Sequence, residues 1–305
     1  MLCPSPRPSP VIRGEGEGVP SPRASGESPR TAARHSGRSG GRVRGLGFAL
    51  LFVGLAASTA AAGDSAALEA LVRAYPEQLA GYDATDLIWR DGTRMPLSDG
   101  RPHKSFEEML RHGSILDQVS LPYPAGVGDA ALAPQSDPGR VRNRAFFDKM
   151  YGGCWRGEVA PRLVPVVWLP QSWGHTVRVT SVNGVAARLA EVSAELDALP
   201  APLKRYVYPT AGTYNCRTVA DTGEPSMHSW GAAIDLNAVR AAYWLWPRAV
   251  AAETLPAQII DVFERHGFIW GGKWLHYDTM HFEYRPELLN LAPLVTPAVA
   301  GIHGR

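Results

Sequence analysis

Hydrophobic and polar positions alternate in two distinct periods along this chain. At helical period, residues 65–75, "SAALEALVRAY", set Leu68, Leu71, Val72 and Tyr75 on one face, with Ser65 available as an N-cap. Residues 185–200, "VAARLAEVSAELDALP", repeat the pattern with Val185, Leu189, Val192, Leu196 and Leu199, and Pro200 stops it. A third helix begins near Pro256 and closes at Gly267, with Ile259, Ile260, Phe263 and His266 turned towards the core. The segment "SFEEMLRHG" reads as a shorter helix ended by Gly113.

Period two marks the strands. "LVPVVWLP" at 163–170 and "HTVRVTSV" at 175–182 read as strands, the second alternating Val177 and Val179 against Arg178 and Thr180. An Asn183-Gly184 turn follows. A brief strand in "DLIW" is followed by Asp-Gly turns at 91–92 and 99–100, and proline and glycine punctuate 114–140 as a surface loop. Helices and strands mix without regular βαβ alternation, which predicts an α+β fold with a small, mostly antiparallel sheet and flanking helices.

In "GAAIDLN", Ala232, Ile234 and Leu236 point one way, while Ala233, Asp235 and Asn237 point the other. In "MHFEY", Met280, Phe282 and Tyr284 turn inward and His281 with Glu283 lie opposite. If these strands are neighbours, Asp235 and His281 converge on one ion, with His228 supplied from the turn ahead and Gly231 folding the chain back. Two histidines and one carboxylate, with a fourth position for water, form the ligand set of a catalytic Zn2+ site. A tight turn at 278–280 would bring Asp278 to the same side as a general base. Arg217 is a candidate to bind a substrate carboxylate or stabilise an oxyanion, and equally reads as a surface arginine. Ser226 reads as a hydrogen-bond partner of a metal-binding residue or of the substrate, and equally as an N-cap or turn hydroxyl. Glu283 reads as the partner of a ligating histidine, or more simply as a solvated edge carboxylate. Trp270, Trp274 and Tyr277 are candidate groove residues or core, and His276 reads as a histidine of the rim or one that supports the ligands from behind.

These motifs resemble the M15 peptidases, the zinc D-alanyl-D-alanine carboxypeptidases and L-alanyl-D-glutamate endopeptidases that cut peptidoglycan stem peptides. "YNCRTVADTGEPSMHSWGAAIDLN" followed by "GFIWGGKWLHYDTMHFEYRPELL" carries the family pattern S-x-H-x-x-G-x-A-x-D, then an acid three residues before a second histidine. The resemblance is strongest over 205–289. It implies one Zn2+ held by His228, Asp235 and His281 on a sheet face, Asp278 at the acid/base position, and a Hedgehog/DD-peptidase-like fold. An aspartate at 278, where many carboxypeptidase members carry glutamate, suits the endopeptidase branch. The alternative is a non-catalytic wall-binding or scaffold protein that keeps fold and metal.

Composition adds the compartment. Residues 1–45 hold eight arginines against three glutamates and almost no large apolar side chains, a composition that predicts a disordered basic tail. That tail contributes +5 to a whole-chain charge of +2, leaving −3 for the rest and no basic field for nucleic acid. Arginines then precede an apolar run from Leu46 to Leu55 and small residues to Ala62, the layout of a signal peptide over 46–62. The run is too short for a permanent membrane span. A signal normally opens a chain, so either translation is expected to start near Val43, with residues 1–42 outside the natural protein, or the signal carries an unusually long n-region. The remainder divides into an N-terminal extension at 63–145, a catalytic domain at 146–290 and a tail at 291–305. Export to the periplasm or outside the cell, as a monomer acting on peptidoglycan peptides, makes a Cys154–Cys216 disulfide the natural pairing. Reduced, Cys216 would be free to join the histidines in a structural zinc site.

Overall fold

The computed structural model describes residues 53–101, 103–126, 137–246 and 255–289, and no side chains before Asp64. The basic tail, the C-terminal tail and the signal segment as far as Phe52 therefore lie outside the described residues. The first helix, α1 (Val53–Ala74), runs unbroken through Ala60–Ala62. Ser65 is thus inside the helix rather than at its N-cap, because the alanine-rich stretch upstream propagates the helix past it. Its hydroxyl instead lies 2.9 Å from Tyr82 Oη. Among the described residues no helix is long and apolar enough to cross a membrane.

Three short antiparallel strands follow in the order β1 (Leu79–Tyr82), β2 (Asp86–Trp89) and β3 (Arg94–Pro96). Gly92 and Gly100 take positive φ at the two expected turns. Helix α2 (Phe106–His112) begins with a capping box between Ser105 and Glu108. Gly113 closes it at φ −63°, not in the left-handed conformation expected. Glycine is required there for space, since a Cβ would lie 2.7 Å from Val141 Cγ1.

The stretch read as a surface loop is more ordered than its composition suggests. Ser114 caps a further helix, α3 (Ile115–Val119), and residues 137–142 are buried. Their arginines are covered because Arg142 meets the buried carboxylate of Glu283 and Arg140 pairs with Asp137 and Asp221. Helix α4 (Arg144–Tyr151), capped by Asn143, buries Phe146, Phe147, Met150 and Tyr151.

Strands β4 (Leu163–Trp168) and β5 (His175–Thr180) pair as an antiparallel hairpin. Helix α5 (Val185–Asp197) buries Val185, Leu189, Val192 and Leu196 as its spacing predicts, and the short α6 (Ala201–Lys204) starts after Pro200. Strand β6 (Ala233–Asp235), helix α7 (Ala257–Arg265), β7 (Phe268–Trp270) and β8 (His281–Tyr284) complete the chain. The last sheet is antiparallel in the order β6-β8-β7.

Phe282 of β8 stacks on Phe263 of α7 with ring centroids 3.8 Å apart, so α7 seals the apolar face of this sheet. His266 does not join that core. It lies at the end of α7 between Glu191 and Glu195 of α5, 2.9 and 2.6 Å from their carboxylates, because an imidazole there gains partners that an apolar core would deny. The N-terminal elements share the same core: Leu68, Leu71, Tyr75 and Trp89 belong to one buried cluster with Phe146, Trp230 and Phe282.

Candidate metal centre

His228 sits on a single turn of 3-10 helix, Met227–Trp230. Ser226 caps this turn, its Oγ accepting from the His228 amide at 3.3 Å. Gly231 ends it at φ +68°, and a Cβ at that position would lie 2.6 Å from Leu163 Cδ2. From there the chain enters β6.

The register of β6 against β8 sets Asp235 directly opposite His281. His228 Nε2, His281 Nδ1 and Asp235 Oδ1 then form a triangle with sides of 3.0, 3.0 and 3.1 Å. Tetrahedral ligands about 2.0–2.1 Å from one zinc stand about 3.3 Å apart. The donor set, two nitrogens and one oxygen in a slightly tightened triangle, fits a zinc ion.

The outer nitrogens are committed elsewhere. His228 Nδ1–H donates to the Thr213 carbonyl, and His281 Nε2–H donates to Glu283 at 2.9 Å. Each ring is thereby oriented so that its other nitrogen faces the triangle. Glu283 is fully buried at 0% exposure, which overturns its reading as a solvated edge carboxylate. It accepts from Arg142 at 2.5 Å and from Arg285 at 3.3 Å. Arg285 also donates to Glu287 at 2.6 Å, and Glu287 accepts from Tyr75 Oη at 2.7 Å. Two buried guanidiniums thus balance two buried carboxylates, which is the condition for burying charge at tolerable cost.

Electrostatics follow from these contacts. Burial alone would raise the Asp235 carboxyl, but His228 and His281 beside it hold it well below the usual carboxylate range. Burial opposes charge on His281, yet the hydrogen bonds to Asp235 and Glu283 push it up to about 9. Asp278 behaves differently. Burial, reinforced by Asp235 and opposed by His281, raises its carboxyl to about 6, and its Oδ1 is buried without a partner. A carboxylate poised near neutrality with an unused oxygen has the properties of a general base. The turn that positions it is closed by His281 N–H donating to Asp278 O at 3.2 Å.

Asp235, Asp278 and His281 share a cavity of about 260 Å³ with Ser226, Arg217 and Trp274. The Arg217 guanidinium has no ion-pair partner among the described residues and is exposed at the cavity edge. Cys216, next to it, is bonded to Cys154 with Cα atoms 5.7 Å apart, so its sulfur is not a zinc ligand. Trp274 is mostly buried, its indole N–H donating to Pro138 O at 2.6 Å. Trp270 belongs to the core and donates to Thr279 O at 3.0 Å. Tyr277 does not line the cavity. Its neighbours His276 and Asp278 take the cavity-facing positions and its own carbonyl accepts from Trp244 N–H at 3.0 Å.

Four contributors were not singled out in the sequence: Asp137, Arg140, Arg142 and the Thr213 carbonyl. Arg140 donates to Asp137 at 3.1 Å and to Asp221 at 2.7 Å, and its guanidinium lies 5.9 Å from the Trp274 ring centre. The available signal was Asp137, Arg140 and Arg142 crowded into "DPGRVR", unusual for a plain loop. A carbonyl leaves no such trace.

No curated protein and no solved structure matches the chain. Residues 220–284 match a family model described as D-alanyl-D-alanine carboxypeptidase. That segment holds all three triad residues and Asp278, and the match over it supports a peptidase domain of the M15 type there.

Proposed function

We propose that this protein is an exported zinc peptidase that hydrolyses an amide bond in peptidoglycan stem peptides. The observation that carries the reading is the convergence of His228 Nε2, Asp235 Oδ1 and His281 Nδ1 beside Asp278, a buried carboxylate with a free oxygen. The family match supports a peptidase of the D-alanyl-D-alanine carboxypeptidase type, and the disulfide is compatible with an oxidising compartment.

When bound, zinc supplies a Lewis acid that activates water and polarises the scissile carbonyl. His228, Asp235 and His281 would hold it, oriented by Thr213, Glu283 and the arginines behind Glu283. Asp278 takes the proton from the attacking water at its unpaired oxygen and delivers it to the leaving amine. Arg217, exposed and without an ion-pair partner among the described residues, binds the substrate's carboxylate at the cavity edge.

The test is zinc content per chain together with digestion of purified muropeptides. One zinc per chain and cleavage are expected, with product masses separating loss of a terminal alanine from a cut nearer the glycan. Full zinc loading without cleavage of any stem peptide overturns the reading.

A further inference from the structure

His276 lines the same cavity as Asp235, Asp278 and His281, and its ring is held by a carboxylate of its own. Asp137 is fully buried at 0% exposure. Its Oδ1 accepts from the His276 amide at 3.0 Å, and its Oδ2 accepts from His276 Nδ1–H at 2.6 Å. Trp244 meets the imidazole edge-on with centroids 4.5 Å apart, and Phe106 stacks at 6.4 Å. The ring is thereby fixed in plane.

Nδ1 is committed to Asp137, so Nε2 is the free atom, and it has no partner among the described residues. The side chain nevertheless keeps 28% of its surface exposed. Satisfying Asp137 does not explain this arrangement. Arg140 and the backbone N–H of residue 276 already supply one donor to each Asp137 oxygen. What the imidazole adds is a second polar nitrogen on a side chain that lines the cavity.

We infer that His276 is a catalytic residue whose Nε2–H, with Asp137 holding the ring at Nδ1, hydrogen-bonds the oxygen of the reacting carbonyl. This rests on the peptidase reading above. As the water oxygen adds to the carbonyl carbon, the C=O electron pair moves onto oxygen and the bond from Nε2–H strengthens. When the C–N bond breaks, the pair returns to re-form the carbonyl. His276 keeps its proton throughout, and the water's proton travels by Asp278 to the amine. The donor is preorganised because Asp137 cannot turn away, being buried and bonded at both oxygens.

The test compares zinc-loaded wild type with His276→Phe and His276→Gln. Phenylalanine keeps a flat ring between Trp244 and Phe106 but has no donor, whereas glutamine keeps a donor and loses the ring. Two quantities are read: kcat and KM on a stem peptide ending in D-alanyl-D-alanine, and the calorimetric Kd of a phosphinate analogue of that terminus, which carries the tetrahedral oxygens. His276→Phe should lower kcat and weaken the analogue by about 10²–10³-fold with KM and zinc content unchanged, and His276→Gln should lose only about tenfold. Analogue affinity of His276→Phe within threefold of wild type, or equal losses in the two variants, overturns the inference. If the wild type binds the analogue, shows this variant pattern and yet cleaves no stem peptide, the His276 assignment stands and the substrate proposal falls. A wild type that binds no analogue overturns both.

Discussion

Asp235 and His281 face one another across the antiparallel register of β6 and β8, with Oδ1 and Nδ1 3.0 Å apart. Two strands, each with one ligand on its polar face, need only this register to create two thirds of a metal site. A slip of one residue would turn either ligand into the core. The third ligand, His228, comes from the turn that leads into the same strand, so one short stretch of chain fixes two of the three.

Metal affinity should depend on pH through His281. Metal-free, this imidazole is held at about 9 and is charged at neutral pH, so zinc must displace its proton. Below that value apparent affinity should fall by up to about tenfold per pH unit, with proton release on binding. Calorimetric zinc titrations at pH 6, 7 and 8 in buffers of different ionisation enthalpy check both the slope and the proton count.

Asp278→Asn should separate catalysis from stability. Losing the base should lower kcat by about 10²–10⁴-fold while zinc still binds. Because burial raises the folded-state carboxyl to about 6, the ionised group costs stability that appears as pH rises from about 4 through 6. The metal-free Asn variant should therefore be more stable than wild type above pH 7, by on the order of 3 kcal/mol. Urea melts at pH 5 and pH 8 measure the difference. In the wild-type pH–rate profile, the acid limb belongs to Asp278 and should lie below 6 once a cation is nearby.

Glu283→Gln should weaken both metal binding and fold. The amide can still accept from one neighbour, but it no longer balances Arg142 and Arg285, both buried. Uncompensated buried charge costs about 3–5 kcal/mol. Zinc affinity should fall about 10–100-fold as His281 loses its carboxylate partner. Thermal melts with and without zinc read the two effects apart.

Gly231→Ala should destabilise the turn that aims His228. The residue combines φ +68° with a Cβ position 2.6 Å from Leu163 Cδ2 and 3.2 Å from the Thr180 amide nitrogen. A loss of about 1–3 kcal/mol is expected, together with weaker zinc binding because His228 shares the turn. Chemical denaturation and zinc titration of the same variant provide both numbers.

Breaking the 154–216 disulfide by a Cys154→Ser, Cys216→Ser double substitution should cost about 2–4 kcal/mol. The bond closes a sequence separation of 62 residues and tethers the segment between Thr213 and Arg217. Comparison of denaturant midpoints with zinc content shows whether the loss is confined to stability.

Local pattern was enough to place much of this molecule. Period-two alternation put Asp235, His281 and Glu283 on the polar side of their strands, and helical spacing identified the buried faces of α5 and α7, because both depend only on residues a few positions apart. Turn chemistry placed Gly92, Gly100, Gly231 and Gly267 for the same reason. What the sequence could not contain was which partners meet. Arg142 reaches Glu283 across 141 positions, Asp137 reaches His276 across 139, and the His228 ring orientation depends on a backbone carbonyl at Thr213. These contacts arise when burial strips water from charged groups and leaves each of them requiring a partner, a condition that exists only once β6, β8 and the 137–142 segment have packed together.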